Sequence, residues 1–128
     1  MAEPAFTDPT TLLPAVAQDA ASGQVLMLAY MNREAYEETL RTGRAVYYSR
    51  SKQRLWRKGE QSGNEQLVEQ VLIDCDADAI VLRVKQLGGA ACHTGHQSCF
   101  YREVTDQGLR VVGERVFNPD DVYGPPQS

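Results

Sequence analysis

The longest uninterrupted apolar stretch in this chain is Val25–Met31, seven residues closed at once by Asn32. This limit constrains the fold more than any other feature. A membrane-crossing helix needs ~20 apolar residues, whereas a strand needs about five or six. The remaining apolar stretches are equally short and are punctuated by Gly, Pro, Asn and Asp. Such a chain builds its core from several short elements packed together.

The elements follow from period and punctuation. Pro14 to Ala21 reads as a first strand, closed by the turn residues Ser22-Gly23, and Val25–Met31 as a buried strand returning beside it in a hairpin. Asn32 is a good helix N-cap and Gly43 a good residue to end the helix. Between them Ala35, Tyr36, Thr39 and Leu40 fall at helical spacing, which predicts a short amphipathic helix over 33–42. Further strands are expected at 45–50, 66–73, 79–84 and 109–117. The class is therefore α+β, mixed but mostly antiparallel, with one or two short helices in one domain spanning 1–128. The Pro- and Asp-rich stretch 118–128 is expected to be a loosely held tail.

With 42% hydrophobic and 23% charged residues, the composition is that of an ordinary globular protein. A net charge of −4 argues against general nucleic-acid binding. The N-terminus is polar and acidic, with neither a basic start nor an apolar core of a signal peptide, so a cytoplasmic protein without a membrane span is expected. Three cysteines, Cys75, Cys92 and Cys99, are an odd number for a closed disulfide framework. In a reducing compartment clustered cysteines bind metal or do chemistry, although free cysteines are also common as small buried apolar groups.

Three segments carry chemical potential. Asp74-Cys75-Asp76-Ala77-Asp78 places carboxylates at alternate positions. In an extended chain these face one way and Cys75 the other, and three converging carboxylates suit a hard cation such as magnesium. The sixth position of a calcium loop would need Gly and holds Ala79, which excludes an EF-hand. Next, Cys92 and Cys99 flank His93 and His96 in a Gly-rich stretch, and thiolates and imidazoles are zinc ligands. Three thiolates with water in the fourth position make an open, catalytic type of zinc site, in which the metal brings a bound water to a pKa of about 7. A structural zinc site would need a fourth protein ligand. Finally, residues 47–64 hold five of the chain's 13 Lys and Arg, with the only Trp among them. Arg50, Lys52, Lys58 and Ser62 suit phosphate oxygens, and Trp56 suits a base. A solvent-exposed charged loop is the plainer explanation of that segment, but a cationic patch in an acidic chain favours an anionic substrate.

The runs Leu26–Asn32, Ser49-Arg50-Ser51, Leu55–Gly63, Asp74–Asp78, Ala91–Gly95 and Ser98-Cys99-Phe100, in this order over roughly 24–102, resemble the phosphoribosyl-AMP cyclohydrolase family. The resemblance implies the third step of histidine biosynthesis, hydrolysis of the N1–C6 bond of the adenine ring of 1-(5-phosphoribosyl)-AMP. It implies an intertwined homodimer with one zinc per subunit shared across it, Cys75 of one chain joining Cys92 and Cys99 of the other. It places magnesium at Asp74, Asp76 and Asp78. Some members carry a following pyrophosphohydrolase domain; a chain ending at 128 has no room for one, so a monofunctional enzyme is expected. His93, beside Cys92, is the expected proton carrier, with support of the metal ligand as its other possible role. His96 is expected to be peripheral. The competing classes are a zinc-stapled binding module without catalysis and, less favoured by charge, a single-strand nucleic-acid binder.

Overall fold

The computed structural model describes residues 4–60, 62–92 and 94–113. Eight strands and one helix follow in the order β1 Leu13–Asp19, β2 Val25–Met31, α1 Arg33–Thr42, β3 Val46–Ser49, β4 Arg54–Arg57, β5 Gln66–Ile73, β6 Ile80–Gln86, β7 Arg102–Thr105 and β8 Gly108–Val111. A 3-10 turn, Leu87–Gly89, follows β6. The α+β class and the antiparallel bias are as expected. Four strand pairs run antiparallel, and β1 with β6 is the parallel exception among the described residues.

The main sheet has the order β2-β1-β6-β5. Its central strands are small and apolar on the inner face: Ala15 and Ala17 on β1 sit beside Ile80, Leu82 and Val84 on β6, all buried. Small β1 residues let α1 and the β3–β4 pair close over this face, where Met31, Ala35, Val46 and Tyr47 complete the core. The helix forms where capping chemistry puts it. Asn32 Oδ1 accepts the Ala35 backbone N–H at 2.8 Å, and Gly43 ends the helix at φ 74° with its N–H on the Thr39 carbonyl. Thr39 is buried, and its hydroxyl accepts the Val46 N–H at 2.9 Å, which ties α1 to β3.

Several expectations are adjusted. The first strand starts one residue earlier than expected and ends at Asp19, because Asp19 and Gly23 close the hairpin turn (Gly23 N–H to the Asp19 carbonyl, 2.8 Å). Strand β2 is only partly buried: Val25 and Leu28 face solvent, since β2 lies at the sheet edge. The strand expected at 79–84 runs from Ile80 to Gln86. Strands β4 and β7 were not expected. Arg54–Arg57 has two half-buried apolar residues between two exposed arginines, with no strand alternation to announce it, and its arginines gave it the look of a loop. The final strand is Gly108–Val111 within a hairpin with β7; positions 114–117 and the tail 118–128 lie outside the described residues. That hairpin puts Val104, Leu109 and Val111 on one exposed face, with the Glu103–Arg110 ion pair (2.6 Å) on the other.

Candidate active site

The turn between the antiparallel strands β5 and β6 is Asp74–Ala79. Here the carboxylates do converge: one oxygen each from Asp74, Asp76 and Asp78 lies within 4.8 Å of the others. Their convergence has a different cause from the extended chain expected. Ala77 adopts φ 64°, its N–H reaches the Asp74 carbonyl at 3.1 Å, and Asp74 Oδ1 accepts the N–H groups of Asp78 (2.9 Å) and Ala79 (3.1 Å). A folded turn, not strand alternation, gathers them. Hydrogen bonding to Asp76 and then to Asp74 raises the Asp78 carboxyl to about 6, with like-charge repulsion adding to it. Desolvation is the largest single influence on Asp74 and would raise it, but its hydrogen bonds with Asp76, Asp78 and the turn N–H groups together outweigh it and hold the group low. Three carboxylates that converge in this way have the donor chemistry for a hard divalent cation.

Cys92 and Cys99 are brought together by two anchored loops. Ala91 N–H binds the Gln97 carbonyl at 3.0 Å and Gly95 N–H the Cys92 carbonyl at 2.9 Å, which folds 91–97 back on itself. Cys99 N–H binds the Leu26 carbonyl at 2.7 Å, and the Ser98 hydroxyl donates to the Val25 carbonyl at 2.7 Å, pinning the second loop to β2. The two thiols then lie against each other. Burial, followed by the neighbouring Cys92 sulfur, pushes Cys99 up to about 12, and the Lys58 ammonium pulls the other way. Two adjacent sulfurs have the donor chemistry of a soft-metal site. Cys75 is exposed on the β5–β6 turn, and among the described residues it does not join Cys92 and Cys99 in one ligand cluster. His93 lies outside the described residues.

A cleft of about 980 Å3 opens beside this pair, lined by β2, the β3–β4 hairpin, Lys58, Gly59, Glu60, Ser62, Ala91 and Cys99. All five substrate-binding candidates, Arg50, Lys52, Trp56, Lys58 and Ser62, line it. The hairpin register explains why. Tyr48 opposite Leu55 and Ser49 opposite Arg54 close a turn at 50–53, with the Lys52 N–H on the Ser49 hydroxyl at 3.2 Å, so Arg50 and Lys52 stand at its tip. Of the five cations in the segment, Arg54 pairs with Glu60 at 2.9 Å and Arg57 with Glu38 at 3.3 Å. Among the described residues Arg50, Lys52 and Lys58 have no carboxylate partner. The Arg50 guanidinium sits 4.1 Å above the Tyr30 ring, a contact not foreseen from the sequence. Lys58 is buried, and its ammonium donates to the Ala91 carbonyl at 2.6 Å and lies 5.7 Å from the Trp56 ring. Burial lowers its pKa, and the Cys99 and Cys92 sulfurs oppose that shift.

Sequence reasoning also missed the surroundings of Cys92. His96, expected to be peripheral, is buried, and Thr94 joins it to the Cys92 sulfur. A hydroxyl two residues beyond a candidate ligand was the available signal. Among the described residues no helix is long and apolar enough to cross a membrane.

Fold and cleft together define a small α+β protein with a cationic, aromatic cleft that reaches Cys99. The comparisons name the family. A model of phosphoribosyl-AMP cyclohydrolase matches residues 27–101. The chain is 60% identical over 112 residues to a phosphoribosyl-AMP cyclohydrolase of Desulfatibacillum aliphaticivorans, covering 88% of this chain and 90% of that one. It is 57% identical to that of Thiobacillus denitrificans (91% of each chain). It is 58% identical to that of Methanococcoides burtonii, covering 91% of this chain and 93% of the relative. The chain belongs to the phosphoribosyl-AMP cyclohydrolase family. It is a hydrolase of histidine biosynthesis, which decides between the enzyme and the catalytically silent zinc module in favour of the enzyme.

Proposed function

We propose that the enzyme hydrolyses the N1–C6 bond of the adenine ring of 1-(5-phosphoribosyl)-AMP. The observation that carries this is the cleft itself, which Arg50, Lys52 and Lys58, without carboxylate partners among the described residues, line together with Trp56 and Cys99. Water adds to C6, the bond to N1 breaks, N1 takes up a proton, and C6 stays on the imidazole ring as the carbon of a carboxamide. Arg50 and Lys52 bind phosphate oxygens at the hairpin tip, and Trp56 walls the base. Lys58, fixed by the Ala91 carbonyl, offsets the negative charge of the two sulfurs. His93, adjacent to Cys92 in sequence, carries the proton.

Zinc fits the thiol pair by donor type, with Cys92 and Cys99 of one chain and Cys75 of a second copy as its ligands; when bound it supplies Lewis acidity and an ionisable water. Magnesium fits the Asp74, Asp76 and Asp78 turn by donor type, where it would offset the repulsion among the converging carboxylates. Two features support the homodimer: the exposed, separate position of Cys75, and the exposed apolar face of the β7–β8 hairpin. The cytoplasm suits three free cysteines.

The test is loss of the substrate's purine absorbance on mixing with purified protein, with and without a zinc chelator. Chelator-sensitive turnover supports the reaction and the metal together. A folded, zinc-loaded protein with magnesium that turns nothing over ends this reading. His93→Ala with unchanged zinc content and unchanged kcat removes His93 from the chemistry. The shared site has its own test in mixing inactive Cys75→Ser and Cys99→Ser proteins. Random re-pairing leaves one intact site in half the dimers, so about a quarter of parental activity returns if sites are shared and none if each chain builds its own.

A further inference from the structure

We infer that Thr94, backed by His96, is a positioning residue that hydrogen-bonds the sulfur of Cys92 and holds it for metal ligation. This rests on the proposed reading of Cys92 as a metal ligand. The Thr94 hydroxyl oxygen lies 3.0 Å from Cys92 Sγ and 2.8 Å from His96 Nδ1. A hydroxyl has one proton to give. A ligating thiolate is an acceptor only, so the proton goes to sulfur, and the ring nitrogen must then supply one. The three groups form a one-way chain, from His96 Nδ1–H to Thr94 Oγ1–H to Cys92 Sγ, and each bond polarises the next.

The surroundings fix this arrangement. Gly95 at φ 92° turns the chain back on itself, and the Cys92 N–H meets the His96 carbonyl at 3.3 Å. The His96 ring stacks on Tyr101 with centroids 3.7 Å apart and planes 3° from parallel, which sets the plane in which Nδ1 points at Thr94. Both Cys92 and His96 are buried, so water does not compete well for either group. None of this requires His96 to touch substrate; it lines a separate small cleft with Gln24 and Tyr101 rather than the large one.

The full-length protein loaded with cobalt(II) in place of zinc tests the inference without reference to turnover. Hydrogen bonds to a ligating thiolate lower the energy of its lone pairs, so losing one moves the thiolate-to-cobalt absorption to longer wavelength. Thr94→Val is expected to give that shift and to weaken cobalt and zinc binding by about tenfold or more, measured against a chromophoric chelator. Thr94→Ser should restore both. His96→Ala should shift the band in the same direction by less. An unchanged band and affinity in Thr94→Val overturns the inference, and so does a shift to shorter wavelength in His96→Ala, which would mean that the hydroxyl had been donating to the ring. If the parental protein shows no thiolate-to-cobalt band at all, the metal-site reading falls and takes this one with it.

Discussion

Gly59 separates Lys58 from the turn that carries Ser62, and it offers a sharp test of how the cleft is built. It adopts φ 88°, and a Cβ added there would lie 2.6 Å from the Glu65 backbone nitrogen and 2.8 Å from the Asn64 carbonyl carbon. Gly63, four residues on, adopts φ 79° with nothing within 4 Å of the same added atom. The two alanine substitutions thus share a left-handed backbone and differ in space. The conformation costs an alanine about 1–2 kcal/mol, and a stiffer unfolded chain returns about 0.4–1 kcal/mol, leaving roughly 0.5–1 kcal/mol for Gly63→Ala. Gly59→Ala adds a collision with backbone that no rotamer relieves, about 1–3 kcal/mol by analogy with overpacked cores, for a total of about 2–4 kcal/mol. For a chain of this size about 3–5 °C in Tm accompanies each kcal/mol. Chelator-treated protein at fixed concentration, unfolded in urea and by heat, should therefore lose roughly 2–5 °C for Gly63→Ala and roughly 6–20 °C for Gly59→Ala. Because Lys58 and Ser62 sit on either side of Gly59, KM should rise in Gly59→Ala as well. Equal losses in the two variants would refute the argument, since they would mean that the backbone around Glu65 yields freely.

Other outcomes follow from the same contacts. Tyr47 is fully buried and its hydroxyl donates to Gln66 Oε1 at 2.6 Å, so Tyr47→Phe strands a buried acceptor and should lower stability by about 1–3 kcal/mol in urea unfolding; no loss would show that Gln66 is satisfied elsewhere. Arg50→Ala should raise KM about tenfold with a smaller change in kcat, as expected for loss of a phosphate contact. Arg57→Ala, whose guanidinium pairs with Glu38 outside the cleft, should leave KM unchanged; equal effects in steady-state assays would sink the phosphate role. Asp78 has a folded pKa of about 6, above its ordinary 3.8, so this group favours the folded cation-free protein most at low pH, and that contribution is lost as pH rises through 6. Asp74, held low, works in the opposite sense. A divalent cation needs the ionised turn, so millimolar magnesium should raise Tm at pH 8 and progressively less below about 6; the same increment at pH 5 and pH 8 would refute cation binding at these carboxylates.

Local order was legible in the chain because it is set by neighbours a few residues apart. Asn32, Gly43 and the helical spacing of Ala35 and Thr39 fixed α1 at 33–42, and Ser22-Gly23 marked the first hairpin, although not the Gly23-to-Asp19 hydrogen bond that ends β1 two residues early. The candidate ligands and the five cleft residues were also visible as residue types, since thiols, carboxylates and clustered cations announce their chemistry wherever they sit. What the sequence could not supply was pairing between distant segments. The parallel match of Ala15 with Ile80 depends on the burial of small residues between two layers, which no local period encodes. The same non-local packing decided that Arg50, Lys52, Trp56, Lys58, Ser62 and Cys99 face one cleft and that His96 is buried behind Cys92, whereas the carboxylates meet through a local turn whose positive φ at Ala77 the sequence did not announce. Side-chain chemistry is a property of each residue, whereas a site is a property of distances, and those distances are settled only when the sheet and its loops close together.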